Sequence, residues 1–500
     1  MANSHLRQPA AKSMGKPSVK GLSTPNQWAT IAMLGEDESA LKLDWLSNLP
    51  DDLLLTIIER LDAADAMRTS ILSRRWKMLP TMLSQILIMV GSTDNIQQRT
   101  CAAAWANATV LGATRSLLES RITSPYTIHR LCMQFFLGDG SIKIGQTVAN
   151  TMATHKVGFV EFTILTEKEG TRCSSDERIF YGKQLKLFIV TCPYAFYCLA
   201  RLNLENLMLR ETDFPKIFRL CKRLEFLRLD NCDMGFRSLL TMEHPRLCEL
   251  EIVRCNFERV YLNWLPELTT LTLVSWMSLD DPLSFGHVPL LHTVSISNAA
   301  RSWHKMLELS EFLGKATISN LHLGFQSEKI WVKPQDPKEL SQVFSELRLL
   351  NLAAISEECD LRWTLFVLQG APSLEELCVR VCDCLKVRDE EERKKHEFSE
   401  ERKDAGAKWE ASDFKHHKLS VLRIFGFQSK LKFLDYITTV MEAAVNLEDI
   451  YLHEKPACEE KCAYSRQRGD RFPKSGRQKI LVRNSLDMYM RPLLRLHFRF

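Results

Sequence analysis

Five hundred residues with 45% hydrophobic content supply a large core, and 66 basic against 61 acidic side chains leave a net charge of only +5, which excludes binding of a polyanion by bulk charge. Fifteen cysteines, an odd number without the spacing of a disulfide scaffold, point to reduced thiols in the cytoplasm, the nucleus or both, and with no secretory h-region in the polar N-terminal stretch no secretion is expected. No apolar run reaches the roughly 18 residues of a membrane span.

Residues 1–42, with Ser, Gly, Pro and Lys dispersed, are expected to be disordered. The first ordered segment, 43–82, reads as short helices. In Leu46-Ser47-Asn48-Leu49-Pro50-Asp51-Asp52, Ser47 or Asp51 can cap a helix and Pro50 suits a first turn, so a helix is predicted from about residue 50. Leu53, Leu54, Ile57, Ile58 and Leu61 then share one apolar face. Asp65 offers a second N-cap, and Ala66, Met67, Ser70, Ile71 and Leu72 lead into Ser73-Arg74-Arg75-Trp76. Around forty residues bury only a marginal core, so this module leans on a partner or on the next domain of the chain.

The run Leu-Ser-x-Leu-Pro-Asp-x-Leu-Leu at 46–54, with Thr69-Ser70-x-Leu72-Ser73-x-Arg75-Trp76-Lys77, resembles the F-box of plant F-box proteins. It departs at Trp45, Asp62, Met67 and Pro80, where that family commonly has Arg, Pro, Val and an aromatic. Met67 nearly conserves volume, and Pro80 is expected to end the last helix early. The resemblance implies docking on an SKP-family adaptor and, through it, a cullin. Carried over, Leu49, Pro50, Leu53, Leu54, Ile57, Leu61, Leu72 and Trp76 contact the adaptor or shape that surface, with some of them, Trp76 among the candidates, serving as internal core instead.

A helical linker is expected over 83–125; its alanine-rich part, Cys101 to Thr114, is short and interrupted by Asn107. From 126 to 455 the chain repeats Leu-x-x-Leu-x-Leu, with copies starting at Leu204, Leu224, Leu247, Leu268, Leu291, Ile318, Leu347, Leu374, Leu419 and Leu447, and weaker ones at Ile128, Val157 and Leu185. Most steps fall within or close to the range of leucine-rich repeats, roughly 20–29 residues. The expected fold class is α/β: a helical F-box, then a solenoid with parallel strands on its concave face and helices and loops on its convex face. Cys232, Cys255 and Cys382 stand where such repeats place Asn or Cys to turn the chain off the strand, a structural role. Neither Cys382-x-Cys384 nor the pair Cys458 and Cys462 has a second pair at ligand spacing, so no metal is expected.

The third, fifth and seventh positions of each copy point outward and form the candidate target surface, with Arg210, Arg228, Glu251, His322, Arg380, Arg423 and Tyr451 as binding candidates. Its mixed sign argues for a protein target and against a nucleic-acid groove. The charged insertion at about 385–418 can form a helix through pairs such as Glu390 with Lys394 and Glu391 with Lys395, worth only ~0.2–0.5 kcal/mol each. It reads as a solvated, partly helical loop, with a gripping element beside the concave face as the alternative. A basic linker is expected at 456–484, where Lys461 to Arg483 holds eight Lys or Arg against Asp470 alone, followed by a C-terminal cap at 485–500. That linker reads as a nuclear localisation signal, an RNA contact or only a disordered linker with charge.

No phosphate loop, metalloprotease helix or nucleophile elbow occurs, no base stands beside Cys378, and His416-His417 reads as exposed loop. No cofactor is implied. The resemblance implies a non-catalytic substrate receptor of a cullin-RING ubiquitin ligase, whose repeats hold a protein target, as yet unidentified, for ubiquitination. The alternatives are an adaptor-binding protein that delivers nothing for degradation, and a repeat protein contacting RNA through the basic linker.

Overall fold

Pro50-Asp51-Asp52 starts a helix as predicted: it spans Asp51–Ile58, with both carboxylates in the first turn, where the helix dipole favours them. The computed structural model describes residues 46, 48–61, 63–90, 99–119, 127–154, 156–235, 237–314, 316–410, 413–454 and 472–500. The disorder expected at 1–42, Ser47, Trp45, Asp62, Cys458, Cys462 and the basic residues 461–471 lie outside them. The chain divides into Met1–Pro50 and Asp51–Phe500. The described part of the first unit is a turn in which Leu49 N–H donates to the Leu46 carbonyl at 3.3 Å.

In the second unit a helix at Ala63–Arg68 follows. Asp65 does not cap it, as the sequence suggests; the helix has already begun, and Asp65 lies in its first turn paired to Arg68 at 2.5 Å. Ser73 caps the helix Arg74–Met78, accepting from Trp76 N–H at 3.3 Å. Pro80 ends that helix and sits buried in a 3-10 turn, Leu79–Met82. Glu59 then accepts from both the N–H and the hydroxyl of Ser84, at 2.9 and 2.7 Å, and so ties the first helix to the start of a strand.

That strand, Gln85–Ile88, corrects the expectation of a purely helical linker: it pairs in parallel with Ile128–Phe136 as the first strand of the solenoid sheet. The linker helix, Arg99–Glu119, lies between them in sequence. Asn107 is buried in it because its amide donates to the Phe136 carbonyl at 2.7 Å and accepts from the Phe136 N–H at 2.8 Å. A polar residue in an alanine-rich helix thus satisfies the end of a buried strand.

The sheet continues through Val157–Leu165, Leu199–Glu205, Phe226–Asp230, Glu249–Val253, Thr270–Val274, Thr293–Ser297, Asn320–Gly324, Leu349–Ile355, Glu376–Val381, Val421–Phe425, Asp449–His453 and Arg495–Arg499, fourteen strands among the described residues, each parallel to the next. Parallel pairing needs a return connection for every strand, and the apolar positions of each copy bury against those returns. Leu202, Leu227, Leu250, Leu271, Val294, Leu321, Leu350, Leu377, Leu422 and Ile450 form one ladder, each at most 1% exposed. Two of the expected copies are displaced. Leucines at 199, 202, 204, 207 and 209 offer two overlapping frames, and the strand takes the earlier, leaving Leu207 and Leu209 in the turn after it. The copy at Leu185 is helical: Ser174 and Glu177 form a capping box for Ser175–Thr191, and Leu185 and Phe188 pack inward, the latter against Phe135, Phe162 and Phe196.

Repeat length governs the convex side. Where the copies at Leu224, Leu247, Leu268 and Leu291 follow one another closely, too little chain remains for a helix, and a second parallel sheet of Leu239–Glu243, Arg259–Trp264 and Leu283–His287 forms instead. The longer later repeats cross back through helices such as Pro337–Val343 and Leu431–Ala443. Many strands leave the sheet through a left-handed residue two places after the sixth position: Asn206 (φ 56), Asn231 (φ 52), Arg254 (φ 52), Ser275 (φ 59), Ala354 (φ 51) and Gly426 (φ 72). Asn and Gly adopt that conformation readily. Cys232 and Cys255 come next after Asn231 and Arg254, Cys382 directly follows its strand, all three are buried, and the Cys255 thiol accepts from Cys232 N–H at 3.4 Å, which accounts for small apolar thiols there.

Two expectations, for His416 and for the insertion, fail for one reason, that polar side chains here join neighbouring repeats. His416 is not exposed loop but 4% exposed: its Nδ1 accepts from Leu419 N–H at 3.0 Å and its Nε2–H donates to the Ala371 carbonyl at 2.9 Å. His244 does the same between Arg246 N–H and Cys221, and His304 between Arg301 N–H and Trp276. The insertion is not a loosely held solvated loop. Its helix, Glu390–Lys395, carries Arg393, which pairs with Glu328 at 2.8 Å, and Lys403 binds the other oxygen of the same carboxylate; all three are under 10% exposed. The basic linker is ordered where described, because Ser475 and Gln478 cap a helix over Gly476–Leu486. The expected C-terminal cap is one more strand, Arg495–Arg499, added to the sheet.

Removing Glu328 strands two buried cations, so Glu328→Ala should cost about 3–5 kcal/mol in denaturant unfolding; a loss under about 1 kcal/mol would show that the insertion is not anchored there. Burial holds the three histidines neutral, His304 pushed down to about 4 from an ordinary 6.5. The unfolded chain takes up a proton below 6.5 that the folded His304 refuses until about 4, so stability falls as pH falls through that window. His304→Gln should flatten the acid limb of the unfolding midpoint by on the order of 1–3 kcal/mol; parallel curves for the two proteins would contradict the assignment.

Candidate functional site

The chain presents two surfaces of different chemistry. On the helical module, Leu54 and Ile58 are fully buried and Trp76 is 6% exposed, so Leu54 and Trp76 are core. Leu53, Ile57 and Leu72 remain 48%, 42% and 61% exposed, Leu61 and Leu49 are half-buried, and Pro50 is exposed. Ile71 and Met78 join the exposed set, at 85% and 60%, and were not among the sequence candidates. Their signal was an excess of large apolar residues over what helices this short can enclose. Arg75 pairs with Asp51 at 2.7 Å and links the first and third helices.

The second surface is the open face of the fourteen-stranded sheet. Its fifth-position row runs Asn203, Arg228, Glu251, Thr272, Ser295, His322, Asn351, Cys378, Arg423, Tyr451 and His497 in register. Six of the seven sequence candidates lie on this face. Arg210 does not: the earlier strand frame leaves it exposed in a turn, its N–H donating to Asp213 at 3.0 Å.

Charge divides the face. At the N-terminal end ion pairs close on themselves: Arg228 with Glu251 at 2.6 Å and Asp230 at 3.2 Å, and Arg254 with Asp230 at 2.7 Å. The centre is small and polar, through Thr270, Thr272, Thr293 and Ser295. At the C-terminal end side chains stack. Arg423 lies 4.3 Å from the Tyr451 ring, His497 stacks on its other side at 4.5 Å, Arg380 lies 5.0 Å from Phe425, and His453 stacks on Phe425 at 4.1 Å. Burial, then Arg380, push His322 down to about 4, and burial raises the Cys378 thiol away from thiolate. Among the described residues no group of three His, Cys, Asp or Glu gathers as a metal site, and no helix is long and apolar enough to cross a membrane.

Residues 190–481 match the family described as At1g61320/AtMIF1, LRR domain, and residues 46–84 match the F-box domain. The chain belongs to the plant F-box/leucine-rich-repeat family. The putative F-box/FBD/LRR-repeat protein At5g56810 of Arabidopsis thaliana is 23% identical over 68% of this chain and 76% of its own length. F-box/FBD/LRR-repeat protein At5g56420 of the same plant is 27% identical over 46% of this chain and 49% of its own length. F-box protein At1g80960, also of that plant, is 41% identical over 54 residues, so that the chain spans only 11% of it. Among solved structures, a chain of the yeast Rad7 and Elc1 complex aligns over 80% of this chain and 91% of its own length, at 13% identity and a TM-score of 0.26.

The division of the F-box into core and surface has a direct consequence. Trp76→Ala should cost about 3–5 kcal/mol of local stability, read as lost amide protection over residues 51–82. Leu53→Asp should leave that protection within about 0.5 kcal/mol of the parent; equal losses for the two would contradict the assignment.

Proposed function

We propose that the chain is the substrate receptor of an SKP-cullin-F-box type ubiquitin ligase, its F-box docking on an SKP-family adaptor and its repeats holding a protein target. The observation that carries this reading is the exposed apolar set Leu53, Ile57, Ile71, Leu72 and Met78 on an F-box whose own core is already filled by Leu54, Ile58 and Trp76. Apolar side chains that a small domain leaves in water on its short helices are suited to burial against a partner. The contribution to ubiquitin transfer is proximity: a target lysine held near the loaded conjugating enzyme reacts at a raised effective concentration, and the receptor supplies no catalytic side chain. The receptor acts in the cytoplasm, the nucleus or both.

The test is co-purification of the full chain with adaptor and cullin, set against a Leu53→Asp/Ile57→Asp variant, which places charge on the exposed stripe and spares the core. The parent should capture both proteins, and the folded variant should bind adaptor at least about tenfold more weakly, the scale of losing hot-spot contacts. Equal capture by the two proteins, or none by the folded parent, would remove the functional content of the F-box.

A further inference from the structure

The last four strands of the sheet place twelve outward side chains in a grid: Glu376, Val421, Asp449 and Arg495 in the first row, Cys378, Arg423, Tyr451 and His497 in the second, and Arg380, Phe425, His453 and Arg499 in the third. Both acids stand in the first row, and they are occupied. Glu376 takes Arg423 at 2.6 Å, and Asp449 takes Arg495 at 2.9 Å and His497 at 2.7 Å. The third row holds no carboxylate. Its two guanidiniums, Arg380 and Arg499, face aromatic rings instead, Arg380 that of Phe425 at 5.0 Å and Arg499 that of Tyr451 at 5.7 Å. Among the described residues, the Arg380 Nε and the His453 Nε2 are out of contact with solvent and without a hydrogen-bond partner.

We infer that this corner of the open face binds an acidic segment of the target, with carboxylates on Arg380 and Arg499 and an aromatic or apolar residue between them on the Phe425 and His453 rings. The spacing fits. Three strand intervals separate the two arginines, about 14 Å at the usual strand separation, which is the reach of four or so extended residues. Charge complementarity selects the occupant: two cations with no carboxylate partner among the described residues, flanking a ring surface, match two acids flanking a side chain, whereas a continuous polyanion would meet the Glu376 and Asp449 row as well. The inference rests on the reading of this face as the target surface and narrows it to one chemistry.

The probe is a fluorescein-labelled peptide Asp-Asp-Ser-Tyr-Ser-Asp-Asp, titrated by anisotropy with the full chain, beside its neutral counterpart Asn-Asn-Ser-Tyr-Ser-Asn-Asn and single-stranded oligouridylate. The acidic peptide should bind and the neutral one should not. Arg380→Gln/Arg499→Gln should lose about tenfold in affinity, and Arg499→Gln alone, at an exposed site that cannot unfold the chain, should lose severalfold. Arg228→Gln, at the self-neutralised end, should change little. Binding of the neutral peptide, indifference to both arginines, an equal effect of Arg228→Gln, or preference for the oligouridylate would each overturn the inference. Adaptor capture is measured on the same preparation: peptide binding without adaptor capture sinks only the receptor reading, and adaptor capture without peptide binding sinks only this one.

Discussion

Every neighbouring pair in the large sheet is parallel, and that one constraint organises the rest. A parallel strand must be returned to its starting end by a crossover, and the chain gains from that only if sheet and crossover bury a shared apolar row. The ladder from Leu202 to Ile450 is that row. Because one side of the sheet is committed to it, the other is left open, and the positions between the leucines become a surface without any further design. The return path adapts to what chain is at hand: strands where repeats are short, helices where they are long, and a docked insertion where the step is longest.

The F-box follows the opposite logic. Its helices are too short to enclose all their apolar side chains, so Leu54, Ile58 and Trp76 fill the interior and the remainder stays in water. One chain therefore carries a strongly apolar patch on helices and a broad, half-buried polar face on strands, two surfaces that suit two different partners.

The repeat period and the F-box start were legible because both rest on hydrophobic spacing. The errors cluster where one stretch satisfies two patterns or where a polar side chain is buried by a distant partner. Leu199 to Leu209 satisfies two frames, and Leu185 with Phe188 fits both a repeat and a helix face. Arg393 looks like an ordinary surface charge until Glu328, 65 residues earlier in the chain, is found beside it. His416 did carry a signal: like His244 it stands three places before the first leucine of its repeat, and its carbonyl partner holds the same place in the repeat before. Of the target-face candidates, Arg210 moved because the frame moved, and the stacking of Arg423 with Tyr451 depends on strand register that spacing alone does not reveal.

Recruitment in this form requires that the exposed F-box stripe, and not the sheet, meets the adaptor. Hydrogen–deuterium exchange of the full chain, free and mixed with an SKP-family adaptor, tests that requirement most directly. New protection confined to Asp51–Ile58 and the segment from Ile71 to Met78, with the sheet unchanged, is the predicted result. Protection spread along the open face, or none in those helices, would contradict it.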